Sequence, residues 1–193
     1  MKKIVLLVWL VALSTISYSQ GISKSETDDF TGSKVIYTTW DQLNASGLSC
    51  KNVLLFKFRL ENETQYFHLN WIFDKVVAVP EGEKVMFKLK DGTLIKFYNI
   101  SHVISSKGGG STNVTCKDSY GVSLILKNED LSVFANESNP IEKVRIYTTD
   151  GYVDIDIKEK YAAKVTALYE LFINEVNGIT DSSKNLKKEK YNW

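Results

Sequence analysis

The feature that most constrains the fold of this 193-residue chain is a strict alternation of apolar and polar residues in two neighbouring segments. In residues 53–61 and 65–73, every second residue is a large apolar one, namely Leu54, Phe56, Phe58, Leu60, Phe67, Leu69, Trp71 and Phe73. A period of two places these side chains on one face of a β-strand. The polar segment Glu61–Thr64 between them predicts a turn. The sequence therefore predicts a long β-hairpin whose aromatic inner face supplies much of the core.

Two further hairpins follow from the same argument. Residues 84–89 and 93–99 flank Lys90-Asp91-Gly92, and a three-residue loop there places Phe87 and Ile95 on one apolar face. Residues 144–149 and 152–157 flank Asp150-Gly151, a typical two-residue turn. That turn pairs Arg145 with Asp156 across the two strands.

Two helices are predicted. Between Lys158 and about Asn177, apolar residues recur at spacings of three and four, and Gly178 is a suitable stop. Asn128 is a suitable cap for a short helix that ends near Asn136. The predicted fold is α+β: a mainly antiparallel β-sheet built from hairpins, one short internal helix, and one C-terminal helix packed on the sheet.

The two ends of the chain differ from its middle. Lys2 and Lys3 precede an apolar run over residues 4–13, and small residues precede Gln20, which together predict a secretory signal peptide over residues 1–19. The apolar run is shorter than the roughly 20 residues of a membrane-spanning helix, and no later stretch reaches that length. We expect a flexible polar leader over residues 20–33, one domain over residues 34–178, and a lysine-rich tail over residues 179–193.

Charge and cysteine content narrow the class of protein. Removal of residues 1–19 takes away two lysines and changes the formal charge from +1 to −1, which gives no long-range attraction for nucleic acid. Cys50 and Cys116 are the two cysteines, and in an exported chain they predict one disulfide. The alternative is a pair of buried free thiols. A catalytic cysteine is disfavoured because no nucleophile motif surrounds either residue.

The sequence offers little for catalysis or metal binding. The two histidines, His68 and His102, are far apart and lack a metal-ligand spacing. Asp154 and Asp156 suggest a calcium site, but a solvated face neutralised by Arg145 is the favoured interpretation. Residues 107–112 resemble a phosphate loop in the wrong order, which favours a mobile connection. We predict no catalytic residue, no metal and no cofactor.

Aromatic residues are the positive signal. Trp40, Tyr66, Tyr98 and Tyr120 are expected to be outward or at strand ends, and His68 is expected to be outward beside Tyr66. Exposed aromatic rings stack on sugars and anchor protein partners. These five residues are the candidate binding set. The alternative is that such rings cover the core and the sheet edges.

The order of features resembles that of small, signal-peptide-bearing bacterial envelope proteins of uncharacterised function. The matching features are the Met1-Lys2-Lys3 start, the cut before Gln20, the Asp91-Gly92 hairpin, the segment Ile141-Glu142-Lys143-Val144-Arg145-Ile146 and the final helix. The resemblance implies export and a strand-rich fold with a terminal helix, and it brings no known active residues.

We therefore expect a protein of the periplasm, cell surface or extracellular space that acts as a non-catalytic binding or accessory module. Its partner would be a glycan or another envelope protein. One alternative is a hydrolase that uses carboxylates or His68. Another is a structural or inhibitor-like interaction protein without a small-molecule site.

Overall fold

The computed structural model describes residues 20–45, 50–108 and 118–178. The predicted signal peptide, Cys116, the lysine-rich tail and most of the predicted mobile connection over residues 107–112 lie outside these residues. The strands are β1 (Ile22–Thr27), β2 (Lys34–Thr38), β3 (Asp41–Asn44), β4 (Val53–Glu61), β5 (Thr64–Phe73), β6 (Ala78–Val79), β7 (Lys84–Leu89), β8 (Leu94–Asn99), β9 (Val103–Ile104), β10 (Ser106–Lys107), β11 (Tyr120–Lys127), β12 (Ile141–Thr148) and β13 (Gly151–Asp156). A 3₁₀ turn spans Ser132–Ala135, and helix α1 spans Glu159–Val176.

One large sheet forms the body of the molecule. Its strands lie in the order β1-β2-β4-β5-β11-β8-β7-β12-β13, with β3 paired to β4 and β10 paired to β11, while β6 and β9 form a separate small sheet. Every described pairing is antiparallel. The mainly antiparallel sheet and its C-terminal helix are therefore confirmed.

The core lies between one face of the sheet, the 3₁₀ turn and α1. Phe134 of the turn lies 5.0 Å from Phe67 and 5.5 Å from Phe97, measured between ring centroids. From α1, Phe172 stacks on Phe58 at 5.5 Å. The aromatic inner face of the first hairpin supplies much of the core, as its alternation predicts.

Two of the predicted hairpins have the expected connections. In the β4–β5 hairpin, Asn62 and Glu63 form a two-residue loop and both have positive φ, 48° and 63°, as a type I′ turn requires. In the β7–β8 hairpin, Phe87 pairs with Ile95, and Gly92 has a φ of 90°. The three-residue loop inferred from the apolar pattern is confirmed.

The predicted register of the last hairpin is wrong. Arg145 pairs with Asp154, not with Asp156, and Thr148 pairs with Gly151, so the loop consists of Thr149 and Asp150. The apolar residues still face the core, because a shift of two positions leaves every side chain on its original face. The alternation therefore could not distinguish these two registers.

The short internal helix is also wrong, since residues 132–135 form only a 3₁₀ turn. The side chain of Asn128 accepts a hydrogen bond from the backbone N–H of Asp130 at 2.9 Å, and that of Asp130 accepts one from Ser132 at 2.7 Å. These local bonds between side chain and backbone compete with helical hydrogen bonds. They place Phe134 in the core without a regular helix.

Strand β1 lies within the segment predicted as a flexible leader, so the sheet begins at Ile22. As an edge strand with largely exposed side chains, β1 lacks the apolar alternation by which the other strands are recognised. Ahead of it, the Gln20 amide donates hydrogen bonds to the Asp41 carboxylate at 2.8 Å and to the Lys164 carbonyl at 3.0 Å. These contacts attach the start of the described chain to both β3 and α1.

Candidate functional site

The face of the large sheet that points away from the core is called here the outer face. Three candidate binding residues, Tyr66, His68 and Tyr98, lie on it, and a fourth, Trp40, packs against it. Because side chains alternate along each strand, the buried residues of β4 and β5 place their neighbours outward. On these two strands the outer face carries Lys57, Arg59, Glu61, Tyr66 and His68. Tyr37 of β2 pairs with Arg59 and belongs to the same face.

Trp40 reaches this face because the chain bends between β2 and β3. Both strands pair with β4, and the bend separates them. At the bend, the Thr38 hydroxyl accepts a hydrogen bond from the backbone N–H of Phe58 at 2.9 Å. This bond replaces a backbone–backbone hydrogen bond between the two strands. The Trp40 ring then lies 4.8 Å from the His68 ring and 4.8 Å from the Lys57 ammonium nitrogen.

His68 points away from the core, yet its exposed fraction is only 9%. Burial, followed by the charges of Lys57 and Arg59, lowers the pKa of His68 to about 3, so the imidazole is neutral near pH 7. Its Nε2 lies 2.6 Å from the exposed Ser123 hydroxyl, whereas its Nδ1 has no hydrogen-bond partner among the described residues. A histidine with so low a pKa is a weak general base at neutral pH, and within the described residues no group orients it from the other nitrogen.

Tyr37 is surrounded by charged groups. The Lys57 ammonium lies 5.0 Å and the Arg59 guanidinium 5.1 Å from the centre of its ring, and its hydroxyl donates to Glu61, which also pairs with Arg59. Burial alone would raise the pKa of Glu61, but the hydrogen bonds from Arg59 and Tyr37 outweigh burial and lower it. Burial, with Arg59 nearby, lowers the pKa of Lys57.

The remaining candidates are spread along the sheet. Tyr66 pairs with Arg59, next to His68 on β5. Tyr98, on β8, faces outward and is 49% exposed. Tyr120 begins β11, pairs with Phe73 and packs against the core, so it is at a strand end but not on the outer face. The structure therefore brings Trp40, Tyr66 and His68 together, with Tyr98 farther along the same face.

The second half of the outer face is a region that sequence reasoning missed. On β7, β8, β12 and β13, an open depression of about 300 Å³ is lined by Met86, Lys88, Leu94, Lys143 and Arg145, among others. The signal that could have indicated this region is the recurrence of lysines and tyrosines at every second position of these four strands. The signal was insufficient, because these residues meet only through the pairing of β7 with β12, which are not consecutive in the chain.

Arg145 organises one side of that depression. It binds Asp154 through two hydrogen bonds of 2.6 and 2.7 Å, and its guanidinium lies 4.0 Å from the centre of the Tyr152 ring. Lys143 pairs with Asp156 at 3.1 Å. These ion pairs support the interpretation of Asp154 and Asp156 as a neutralised face rather than a calcium site.

Cations outnumber carboxylates on the strands of the outer face. The cations are Lys24, Lys57, Arg59, Lys84, Lys88, Lys96, Lys127, Lys143 and Arg145, and the carboxylates are Glu26, Glu61, Glu142, which pairs with Lys88, Asp154 and Asp156. The whole chain has a formal charge of only +1, so positive charge is concentrated on this face. A surface of this kind favours anionic ligands.

Within residues 20–45, 50–108 and 118–178, no group of three or more histidine, cysteine or acidic residues could hold a metal. No helix there is both long and apolar enough to cross a membrane. Cys50 is buried beside Ile72, and its predicted partner, Cys116, lies outside the described residues.

No protein-family model, curated protein or solved structure matches this chain. The functional argument therefore rests on the geometry and charge of the outer face.

Proposed function

We propose that this protein is an exported, non-catalytic binding module that holds a glycan on its outer face. One observation carries the proposal: on the outer face, partly exposed tyrosines lie beside lysines and arginines. Tyr98 is 49% and Tyr152 58% exposed. A tyrosine ring presents an apolar surface together with a polar hydroxyl, which suits the alternation of C–H and O–H groups on a sugar.

Export is part of the proposal and is supported by the features of residues 1–19. The Cys50–Cys116 disulfide belongs with it, because disulfides persist in oxidising compartments. One observation supports the disulfide: the described residues include no free cysteine.

Binding of the purified protein to a panel of glycans tests the proposal. We expect affinity for one glycan class, with Tyr98→Ala weakening it at least tenfold because the variant removes an exposed ring from the outer face. Phe30→Ala is the matched control, since Phe30 is fully exposed but lies in a turn after β1. Absence of glycan binding, or an equal loss in the control, would contradict the proposal, and capture of an envelope protein instead would favour the interaction-protein alternative.

A second candidate function, hydrolysis through Ser123 and His68, has the 2.6 Å distance between them in its favour and the low pKa of His68 against it. A hydroxyl within hydrogen-bond reach of an imidazole is the arrangement of a nucleophile and its base. A fluorophosphonate probe tests this candidate, with Ser123→Ala as the control. Covalent labelling that disappears in the variant would support hydrolysis, whereas an unlabelled wild-type protein would reject it.

A further inference from the structure

Tyrosines and cations alternate across the strands of the outer face. On one half of the sheet, Lys24 of β1 pairs with Tyr37 of β2, Tyr37 pairs with Arg59 of β4, and Arg59 pairs with Tyr66 of β5. The Lys24 ammonium lies 5.5 Å from the centre of the Tyr37 ring. Four consecutive strands therefore place a cation and a tyrosine in turn at the same level.

The other half of the sheet continues the pattern. Lys127 of β11 pairs with Tyr98 of β8, and Tyr98 pairs with Lys84 of β7. The Lys84 ammonium lies 4.5 Å from the Tyr147 ring of β12. The alternation ends there, because Tyr147 pairs with a second tyrosine, Tyr152 of β13.

The two halves join at β5 and β11. Phe67 pairs with Leu126, so the next positions in this antiparallel ladder, Tyr66 and Lys127, also lie opposite each other. The result is one continuous line of positions from Lys24 to Tyr152, called here the tyrosine–cation row.

We infer that the tyrosine–cation row is the binding track of a linear acidic polysaccharide whose chain runs across the strands. This inference rests on the proposed glycan-binding function and adds the charge, shape and orientation of the ligand. The row runs perpendicular to the strands, and a long, narrow track of this kind fits a linear polymer better than a compact sugar.

The spacing of the row fits a sugar chain. Neighbouring strands are about 4.8 Å apart, so tyrosines two strands apart, such as Tyr37 and Tyr66, are separated by about 10 Å. That interval is close to the length of two sugar units in an extended chain, and a cation stands between the two rings. At Lys127 and Tyr98, which are both exposed, the track can therefore offer one positive charge and one ring to a disaccharide. Arg59 is only 14% exposed and is paired with Glu61, so the β1 end contributes less.

The centre of the row has unpaired positive charge. At the β1 end, Lys24 pairs with Glu26 and Arg59 pairs with Glu61. At the centre, neither Lys127 nor Lys84 has a carboxylate within ion-pair distance among the described residues. The carboxylates or sulfates of an acidic sugar chain would supply the missing partners.

A single-stranded nucleic acid fits the row less well. Such chains stack successive bases on aromatic platforms, whereas the tyrosines of this row alternate with cations. Polythymidylate is therefore included as a competing probe.

The test measures the affinity of the purified protein for alginate oligomers of increasing length, with dextran oligomers as the neutral comparison. We expect alginate to bind with an affinity that rises with length until the chain covers the row, about 38 Å for nine strands at 4.8 Å spacing. We also expect affinity to fall as salt increases, because the attraction is between charges. Dextran should bind at least tenfold more weakly.

Variants locate the contact. Tyr98→Ala and Lys127→Ala should each weaken alginate binding at least tenfold, and Lys127→Ala should also reduce the salt dependence. Phe30→Ala and Lys107→Ala are the matched controls, because both side chains are well exposed and lie away from the row.

The outcomes separate the two proposals. Equal binding of dextran and alginate, or an affinity independent of length and salt, overturns the row as an acidic-polysaccharide track but leaves glycan binding intact. Absence of binding to any glycan overturns both. Preference for polythymidylate over alginate overturns the choice of ligand.

Discussion

At the residue scale, His68 shows how an outward position can become part of the protein interior. Its strand directs it away from the core, but the Trp40 ring lies 4.8 Å from it and leaves it 9% exposed. The alternation along β5 identified its direction correctly. The covering residue could not be identified, because Trp40 arrives from a bend between two other strands.

The lowered pKa of His68 predicts a specific pH dependence of stability. In the unfolded chain His68 takes up a proton below about pH 6.5, whereas in the folded protein it does so only near pH 3. Between these two pH values the unfolded state therefore binds one more proton than the folded state. Proton binding stabilises the unfolded state, so the free energy of unfolding falls as pH falls below 6.5. The contribution of His68 to this fall is about 1.4 kcal/mol per pH unit.

Denaturation of the wild type and of His68→Gln at pH 7 and pH 5 isolates this contribution, because the other titrating groups are common to both proteins. We expect the wild type to lose about 2 kcal/mol more than the variant between these two values. Parallel losses in the two proteins would show that the imidazole is not buried as described.

A second residue-scale prediction concerns Asp41, a buried carboxylate that joins three parts of the chain. It accepts a hydrogen bond from Gln20 at 2.8 Å and pairs with Lys164 of α1 at 2.6 Å. Asp41→Ala should destabilise the protein by about 2 kcal/mol, because both partners lose a partly buried acceptor.

Asp156→Ala is the control, since Asp156 is largely exposed and pairs with Lys143 on the surface. It should cost less than about 1 kcal/mol. Chemical denaturation measures both variants, and similar losses would contradict the anchoring role of Asp41.

At the element scale, the hairpins show what patterning can and cannot determine. The loop of the β7–β8 hairpin followed from the apolar pattern, because a one-residue change in loop length would have moved Phe87 opposite a lysine. The register of the last hairpin did not follow, because Asp154 and Asp156 lie on the same face and either could meet Arg145. The segment 128–136 carries the pattern of a capped helix but forms a 3₁₀ turn, because Asn and Asp residues favour helix caps and local turns alike.

The β4–β5 turn gives an element-scale prediction. Glu63 has a φ of 63°, a conformation that costs an L-residue other than glycine roughly 1–2 kcal/mol. Glu63→Gly converts the loop to Asn-Gly, a favoured type I′ sequence, and should raise the free energy of unfolding by about 1 kcal/mol.

Denaturant unfolding measures this change. Thr64→Gly is the matched control, because Thr64 lies in β5, where glycine weakens the strand. Destabilisation by Glu63→Gly would contradict the left-handed conformation of the turn.

At the scale of the whole molecule, one sheet separates two environments. Its inner face is covered by α1 and the 3₁₀ turn, and its outer face carries the tyrosines and cations. Individual members such as Tyr66 and Tyr98 could be predicted from alternation. The tyrosine–cation row could not, because it depends on β11 lying between β5 and β8, and this long-range order leaves no local trace in the sequence.

The measurement that tests the account most directly is an NMR titration of the isotope-labelled protein with an alginate oligomer. We predict that backbone resonances of β5, β11 and β8 change most, centred on Tyr66, Lys127 and Tyr98, while those of α1 stay unchanged. Changes centred on α1, or an unperturbed outer face at saturating alginate, would contradict the assignment of the outer face as the binding surface.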